Sequence, residues 1–288
     1  MSHWQQHPVL DRGEGRRTDP DWSARAWKHP SAAVLGVDPS GRLTADPDGL
    51  RWTAPQGPYD PQRHFLLGLW QERPVFVTAV AHGERSLRDL LAVLGDEAME
   101  VAFGAVGLIG WHAAAQFCGT CGTATTVVHG GHARRCPGCD REDYPRTDPA
   151  VIVAITDESD QLLLGRQPSW PATRYSVLAG FVETGEALEQ TVRREIGEEV
   201  GVTVGQMSYL GSQPWPFPRS LMVAFHAHAV TTEITPAPGE IETASWFGRG
   251  DLVAGLNDGT VTLPPPASIA RRMIQAWLDG DLSADTVG

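Results

Sequence analysis

Four cysteines are all that 288 residues contain, and every one falls between positions 118 and 139. A secreted scaffold stapled by disulfides spreads its cysteines along the chain, so this clustering argues against that class. Long apolar runs are missing too. Nowhere do 18 or more apolar residues follow one another, and no transmembrane helix is expected. The opening residues, MSHWQQHPVLDRGEGRR, hold no apolar h-region, so no secretory signal is expected and the cytoplasm is the expected location. Positive charge is in short supply: 23 Lys and Arg stand against 35 Asp and Glu, a formal net charge of −12. That balance argues against general binding to nucleic acid or a membrane surface, while leaving room for a local basic patch. What remains is an ordinary globular composition, 41% hydrophobic and 20% charged, with length for two domains and a sizeable core.

Residues 1 to about 60 are rich in Pro, Gly, Asp and Arg and read as loops and short strands. Between 64 and 117 lie two denser segments. Leu87, Leu90, Leu91, Val93 and Leu94 suit a helix, as does the stretch from Met99 to Trp111 apart from its glycines. From Ala150 the pattern changes. AVIVAITD and QLLLGRQ read as a hairpin around residues 157–160, and RYSVLAGFV as a third strand. A helix is expected from about Ala187 to Val200, with Leu188, Val192, Ile196 and Val200 as its buried stripe and Gly201 as its stop. Strands at MSYLGSQ, LMVAFHAHAV and ASWF follow. A helix at about 268–280 comes after the stiff Pro264-Pro265-Pro266 lead. No internal repeat is evident.

Two constellations carry chemistry. The first lies on the expected helix. Glu195, Glu198 and Glu199 are related as i, i+3 and i+4, positions that stack on one side with neighbouring Cβ atoms about 5–6 Å apart. Like charges packed that closely repel unless something positive sits among them. Mg²⁺ or Mn²⁺ is the obvious candidate, because both take hard oxygen ligands and bridge carboxylates to phosphates. The segment alone therefore points to metal-assisted attack of water on a phosphate ester or anhydride. Its bland alternative is a solvated helix face of Glu and Arg pairs.

The second is Cys118-x-x-Cys121, fourteen residues, then Cys136-x-x-Cys139. Two such knuckles present four thiolates to one tetrahedral Zn²⁺, a closed site that folds a small insert without catalysing anything. A redox pair or two free thiol pairs are the alternatives. His129 and His132 lie between the knuckles as competing ligands that a full set of four cysteines makes unnecessary.

A third segment, SQPWPFPRS at residues 212–220, has a physical reading of its own. Three prolines fix a loop at low entropic cost. Trp215 and Phe217 offer flat faces for a nucleobase or nicotinamide, worth about 1–3 kcal/mol per base by analogy with single-strand binders. Ser212, Gln213 and Ser220 can hydrogen-bond base edges or phosphates. Alone, the segment reads as well as a rigid surface turn with a core tryptophan.

Residues 180–202, GFVETGEALEQTVRREIGEEVGV, match the signature of the Nudix family at Gly180, Glu186, Arg194, Glu195, Ile196, Glu198, Glu199, Gly201 and Val202. With the ribbon, the Tyr144-Pro145-Arg146 segment and SQPWPFPRS, the chain resembles the NADH pyrophosphatase branch of that family. The resemblance is specific from about Cys118 to Arg272 and weak over residues 1–85. It implies an α+β protein: an N-terminal α+β domain at 1–112, a four-cysteine zinc ribbon at 113–145, and at 146–288 a Nudix α/β/α sandwich with a mixed sheet and a C-terminal helix. It implies hydrolysis of the NAD(H) pyrophosphate to AMP and nicotinamide mononucleotide by water activated on Mg²⁺ or Mn²⁺, or removal of NAD caps from RNA by the same chemistry. ADP-ribose, a nucleoside triphosphate, or a non-catalytic nucleotide-binding module are remoter readings.

By resemblance, Glu195, Glu199, Glu240 and the Ala179 carbonyl hold the divalent ions. Glu198 joins them or orients the water, and Glu186 is an outer ligand or holds Arg194. Arg194 itself orients the carboxylates by salt bridging. Substrate contacts fall on Tyr144, Gln213, Pro214, Trp215, Pro216, Phe217, Pro218, Arg219, Ser220, Ala270 and Arg88. Arg134, Arg135, Arg141 and Arg146 near the ribbon would guide an RNA chain. The branch is typically a homodimer. One departure is visible, because relatives tend to carry a substrate-contacting glutamate where this chain has Gly131.

Overall fold

A computed structural model describes residues 8–282, and the chain forms two compact units. The first comprises residues 8–147 together with 216–219. Its long strands are β1 (Ala33–Val37), β2 (His64–Trp70) and β3 (Arg73–Ala79). β2 and β3 form an antiparallel hairpin, and β1 runs parallel to β3. The hairpin turns through Gln71 and Glu72, both with positive φ (51° and 63°), the geometry that keeps tight hairpins aligned with strand twist. Three two-residue strands complete this six-stranded sheet.

Residues 8–60 hold more structure than their composition announces. Helix α1 (Pro20–Trp27) is opened by the Asp19 carboxylate, which accepts from Asp21 N, with Pro20 in the first turn where its missing N–H costs nothing. β1 is buried at all five positions. The segment 87–94 is a correction in the other direction. Only Leu87–Leu90 is helical, since one turn capped by Ser86 already buries Leu87, Leu90 and Leu91 and leaves Val93 exposed. Helix α2 (Asp96–Ala114) does form across its glycines, because nine of its residues are buried. The cysteine-bearing insert adds an antiparallel sheet of β4 (Thr126–Val128), β5 (Ala133–Arg135) and β6 (Glu142–Asp143).

The second unit comprises residues 148–215 and 220–282. Its strands are β7 (Asp148–Thr156), β8 (Leu162–Arg166), β9 (Leu178–Phe181), β10 (Val204–Trp215), β11 (Ser220–Ala229) and β12 (Thr243–Phe247). The sheet order is β10-β11-β7-β8-β12, with β9 also on β7. β7 and β11 are parallel from Asp148↔Ser220 to Thr156↔His228, and the other pairs are antiparallel, so the sheet is mixed. The expected hairpin of β7 and β8 pairs only at Thr156↔Leu162, next to its turn. Beyond that point β9 takes the edge of β7, from Ala150↔Phe181 to Val153↔Leu178, and so delivers residues 179–181 beside the next helix.

β7 shows why the unit is a sandwich. Val151, Val153 and Ile155 point to one face, where they pack with Val192, Ile196 and Val200 of α3 (Leu188–Val200). Ile152 and Ala154 point to the other, with Leu252 of α4 (Arg249–Asp258) and Met273, Ile274 and Trp277 of α5 (Ile269–Asp279). A strand buried on both faces reads as a continuous aliphatic run because both sets of alternating positions are apolar. Gly201, at φ 72°, ends α3 in the left-handed region. No helix among the described residues is long and apolar enough to cross a membrane.

Candidate active site

Helix α3 and strand β9 bring the box carboxylates together around one arginine. Arg194 grips Glu186 with two hydrogen bonds of 2.8 Å, from Nε to Oε1 and from the Nη2 amine to Oε2. The same side chain donates to Glu198 Oε2 at 3.1 Å, lies 3.0 Å from Glu195 Oε1 and donates to the Phe181 carbonyl at 2.9 Å. Its guanidinium is thus fully engaged with protein, and the fork geometry fixes three carboxylates relative to β9. Glu186 also accepts from Glu183 N at 3.1 Å and Thr191 Oγ1 at 2.8 Å. Arg194, with this help, holds its carboxyl down at about 2.

Glu195 and Glu199 occupy the opposite situation. Glu199 is 8% exposed, and its Oε2 has no hydrogen-bond partner among the described residues. Burial, then the Glu195 and Glu240 charges, push its carboxyl up to about 8. Burial raises Glu195 as well, against the pull of Arg194. Glu198, 59% exposed, faces solvent beside them. Gly180 explains how Glu195 fits. A Cβ there would lie 1.9 Å from Glu195 Cδ, so the carboxyl occupies the space that any other residue at 180 would fill.

Glu240 lies 41 positions beyond Glu199, and the backbone accounts for its arrival. Ala237 N donates to Glu199 O and Thr235 N to Val200 O, both at 2.8 Å. An orphaned buried carboxylate oxygen amid two further carboxylates fits a divalent cation of the hard, oxygen-binding kind. Glu195 and Glu240 are the carboxylates whose charges act on it, and Ala179 pairs with Ile152 in the neighbouring β9–β7 ladder. The carboxylate oxygens are not drawn into a tight cluster, as unneutralised like charges would not be.

The four cysteine sulfurs are so drawn. They lie within 4.8 Å of one another, with Cys118–Cys139 and Cys121–Cys139 at 3.7 Å and Cys121–Cys136 at 3.4 Å. A tetrahedron with metal–sulfur bonds of about 2.3 Å sets its ligands about 3.8 Å apart, so one Zn²⁺ fits. The two knuckles repeat one design. Gly122 N bonds Cys118 O and Asp140 N bonds Cys136 O, and both Gly122 and Asp140 have positive φ.

The residues of the SQPWPFPRS segment divide. Gln213 is buried, and its amide is used at both ends: Nε2 donates to Ala267 O and Oε1 accepts from Ile269 N, each at 2.7 Å. It ties β10 to the start of α5, where Ala270 is itself buried. Ser220 is buried at the start of β11, paired across with Trp215, and Pro214 is exposed. Pro216, Phe217, Pro218 and Arg219 belong to the other unit. There the Arg88 guanidinium lies 4.1 Å over the Phe217 ring, a cation–π contact that brings two of the expected substrate residues together. Tyr144 is 56% exposed, and its hydroxyl donates to Glu142 at 2.8 Å. At Gly131 the backbone has φ +102°, and a Cβ would meet Phe65 Cβ at 2.6 Å.

Thr191 and the Phe181 carbonyl, both holding the Glu186–Arg194 pair, were not anticipated. Thr191 sits where a buried stripe would tolerate any small residue, and a carbonyl contact has no sequence signal.

The sandwich, and a helix whose carboxylates gather on an arginine beside the glycine-bearing strand β9, point to the class of phosphoanhydride hydrolases. The NUDIX domain profile matches residues 146–265, and that of the NADH pyrophosphatase zinc ribbon domain matches 113–144. The chain belongs to the Nudix hydrolase family. It is 38% identical over 289 residues to the NAD-capped RNA hydrolase NudC of Mycobacterium bovis (strain BCG / Pasteur 1173P2), covering 93% of this chain and 92% of that protein. It is 44% identical over 223 residues to the protein of the same name from Deinococcus radiodurans, covering 74% and 76%.

Proposed function

We propose that the protein hydrolyses the pyrophosphate of NADH or NAD⁺, releasing AMP and the reduced or oxidised nicotinamide mononucleotide. The buried, unpartnered Glu199 carboxyl beside Glu195 and Glu240 carries the chemistry, and the NudC relatives carry the substrate class. Glu195, Glu199, Glu240 and the Ala179 carbonyl would hold Mg²⁺ or Mn²⁺. Such ions, when bound, neutralise phosphate charge and lower the pKa of a water that attacks one phosphorus in line. The chain's own part is positional. Arg194 sets the directions of Glu186, Glu195 and Glu198, and Gly180 leaves Glu195 its place. Burial favours the protonated form of Glu199, and its oxygens would have to be deprotonated to serve as ligands. No hydride moves and no covalent enzyme intermediate forms. Trp215 and Phe217 are the aromatic faces for the base or nicotinamide, and Tyr144 and Ala270 further contacts. The same reading takes a structural Zn²⁺ on Cys118, Cys121, Cys136 and Cys139, a homodimer and a cytoplasmic location.

Incubation with NADH and Mn²⁺, with products separated by liquid chromatography, tests this. AMP with reduced nicotinamide mononucleotide is the expected outcome, and intact NADH refutes it. Glu199→Gln should abolish turnover while keeping the fold.

Removal of NAD caps from RNA is the second reading, favoured by the names of the relatives. The ribbon arginines contribute little to it. Arg135 pairs with Asp140 and Glu142, Arg141 with Asp143, and Arg134 bonds Thr125 and His112. Of the four, Arg146 alone has no hydrogen-bond or ion-pair partner among the described residues. With about one phosphate contact from this region, the salt slope of decapping should be shallow, about −0.7 per log unit. A slope steeper than about −3 would show a larger RNA surface.

A further inference from the structure

The turn that carries Glu240 is held on two sides. One is the stitching of Ala237 and Thr235 to the last residues of α3. The other is Arg166, the last residue of β8. Glu242 N donates to Arg166 O at 2.8 Å, and the Arg166 Nη1 amine donates to Glu242 Oε2 at 2.6 Å. Backbone and side chain of one residue therefore grip backbone and side chain of the other. Between the two glutamates, Ile241 is buried, close to Gly165 and Leu178. Three consecutive residues thus divide: the Glu240 charge acts on Glu195 and Glu199, Ile241 enters the core, and Glu242 meets Arg166.

The Arg166 side chain is only 12% exposed, and its Nε is buried without a partner among the described residues. An arginine serving solubility would turn outward and satisfy that nitrogen with water. Replacing such a pair by apolar side chains is often neutral or stabilising, so stability does not account for it. What a short ion pair with its arginine held in the fold supplies is a fixed direction for the chain that bears it.

We propose that Arg166 is a positioning residue: through Glu242 it sets the reach of Glu240 and so the strength with which the carboxylate face binds a divalent cation. The inference rests on the function proposed above, since it needs Glu240 to be a ligand.

The test titrates Mn²⁺ into the purified full-length protein without substrate and reads free Mn²⁺ by electron paramagnetic resonance. Wild type, Arg166→Met, Glu240→Gln and the double variant are compared, with thermal melts alongside. Arg166→Met should bind Mn²⁺ about tenfold more weakly, the lower end of the effect of groups that orient metal ligands. Arg166→Lys should recover part of the loss. Added to Glu240→Gln, the Arg166 substitution should change affinity by less than about twofold, because the two act through one ligand. Should Arg166→Met fail to fold, Glu242→Gln breaks the same ion pair from its 48% exposed side and carries the same expectation. Unchanged affinity in the single variant, or full additivity in the double, overturns the role of Arg166 alone. Wild-type protein that binds no Mn²⁺ overturns this inference together with the function on which it rests.

Discussion

Gly180→Ala should switch the enzyme off without unfolding it. Gly180 pairs with Val151 in the β7–β9 ladder, and its φ lies outside the left-handed region, so alanine is allowed there by the backbone. The new Cβ would stand 1.9 Å from Glu195 Cδ and 2.3 Å from both Cγ and Oε1. Real Cβ contacts stay beyond about 3 Å, so the carboxyl must retreat by roughly 1 Å or more, the misplacement that costs on the order of 10²-fold in rate. That corresponds to about 2.7 kcal/mol of transition-state stabilisation. The atom displaced is the end of a flexible side chain, and replacing glycine lowers unfolded-state entropy by about 0.4–1 kcal/mol in favour of the fold. Melting should therefore move little. The assay is AMP release from NADH at saturating Mn²⁺, with circular dichroism melts on the same preparation. Turnover within about threefold of wild type would refute the reasoning, because Glu195 would then be free to work from another place.

Cys136→Ser should release zinc and lower the melting temperature, read by metal analysis and calorimetry; unchanged metal content would dismiss the four-thiolate site. Gln213→Met should cost on the order of 2–4 kcal/mol by leaving Ala267 O and Ile269 N without partners, seen in denaturant melts. If the variant instead keeps wild-type stability and loses only KM, Gln213 reads substrate rather than structure. Burial holds His112, His132 and His226 at about 4. A folded-state value below the unfolded one means that stability is complete above about pH 6.5 and is lost as pH falls toward 4, on the order of 2 kcal/mol per imidazole by pH 4.5. Melting temperatures flat between pH 7 and 4.5 would contradict these burials.

Local pattern made the helix and the four-cysteine cluster readable. Val192, Ile196 and Val200 fall on one buried stripe, and the glutamates between them follow from the same period. The cysteine spacing needs no tertiary information. What escaped depends on distant partners. The weak pairing of β7 with β8 reflects competition from β9 for the same edge, which periodicity cannot express. Helix α4 buries only Leu252 and Gly255, too narrow a stripe to register. Gln213 looks the same in sequence whether it faces a base or the backbone of α5. Glu240 was reached by resemblance alone, since the hydrogen bonds that bring it near Glu199 belong to main-chain groups.

Gly131 makes substitution at its position conditional on others. A side chain there needs the Phe65 Cβ to move away and the backbone to leave φ +102°. Phe65 is stacked on His112 at 3.8 Å, and His112 bonds the Gly131 carbonyl at 2.8 Å. Each member of this trio therefore constrains the other two. Shortening Phe65 alone would leave its Cβ in the way, so a glutamate at 131 needs the backbone of one segment to move as well. The glycine therefore locks the packing of Phe65 and His112 into the path of the main chain, and no single side-chain exchange at 131 leaves that packing unchanged.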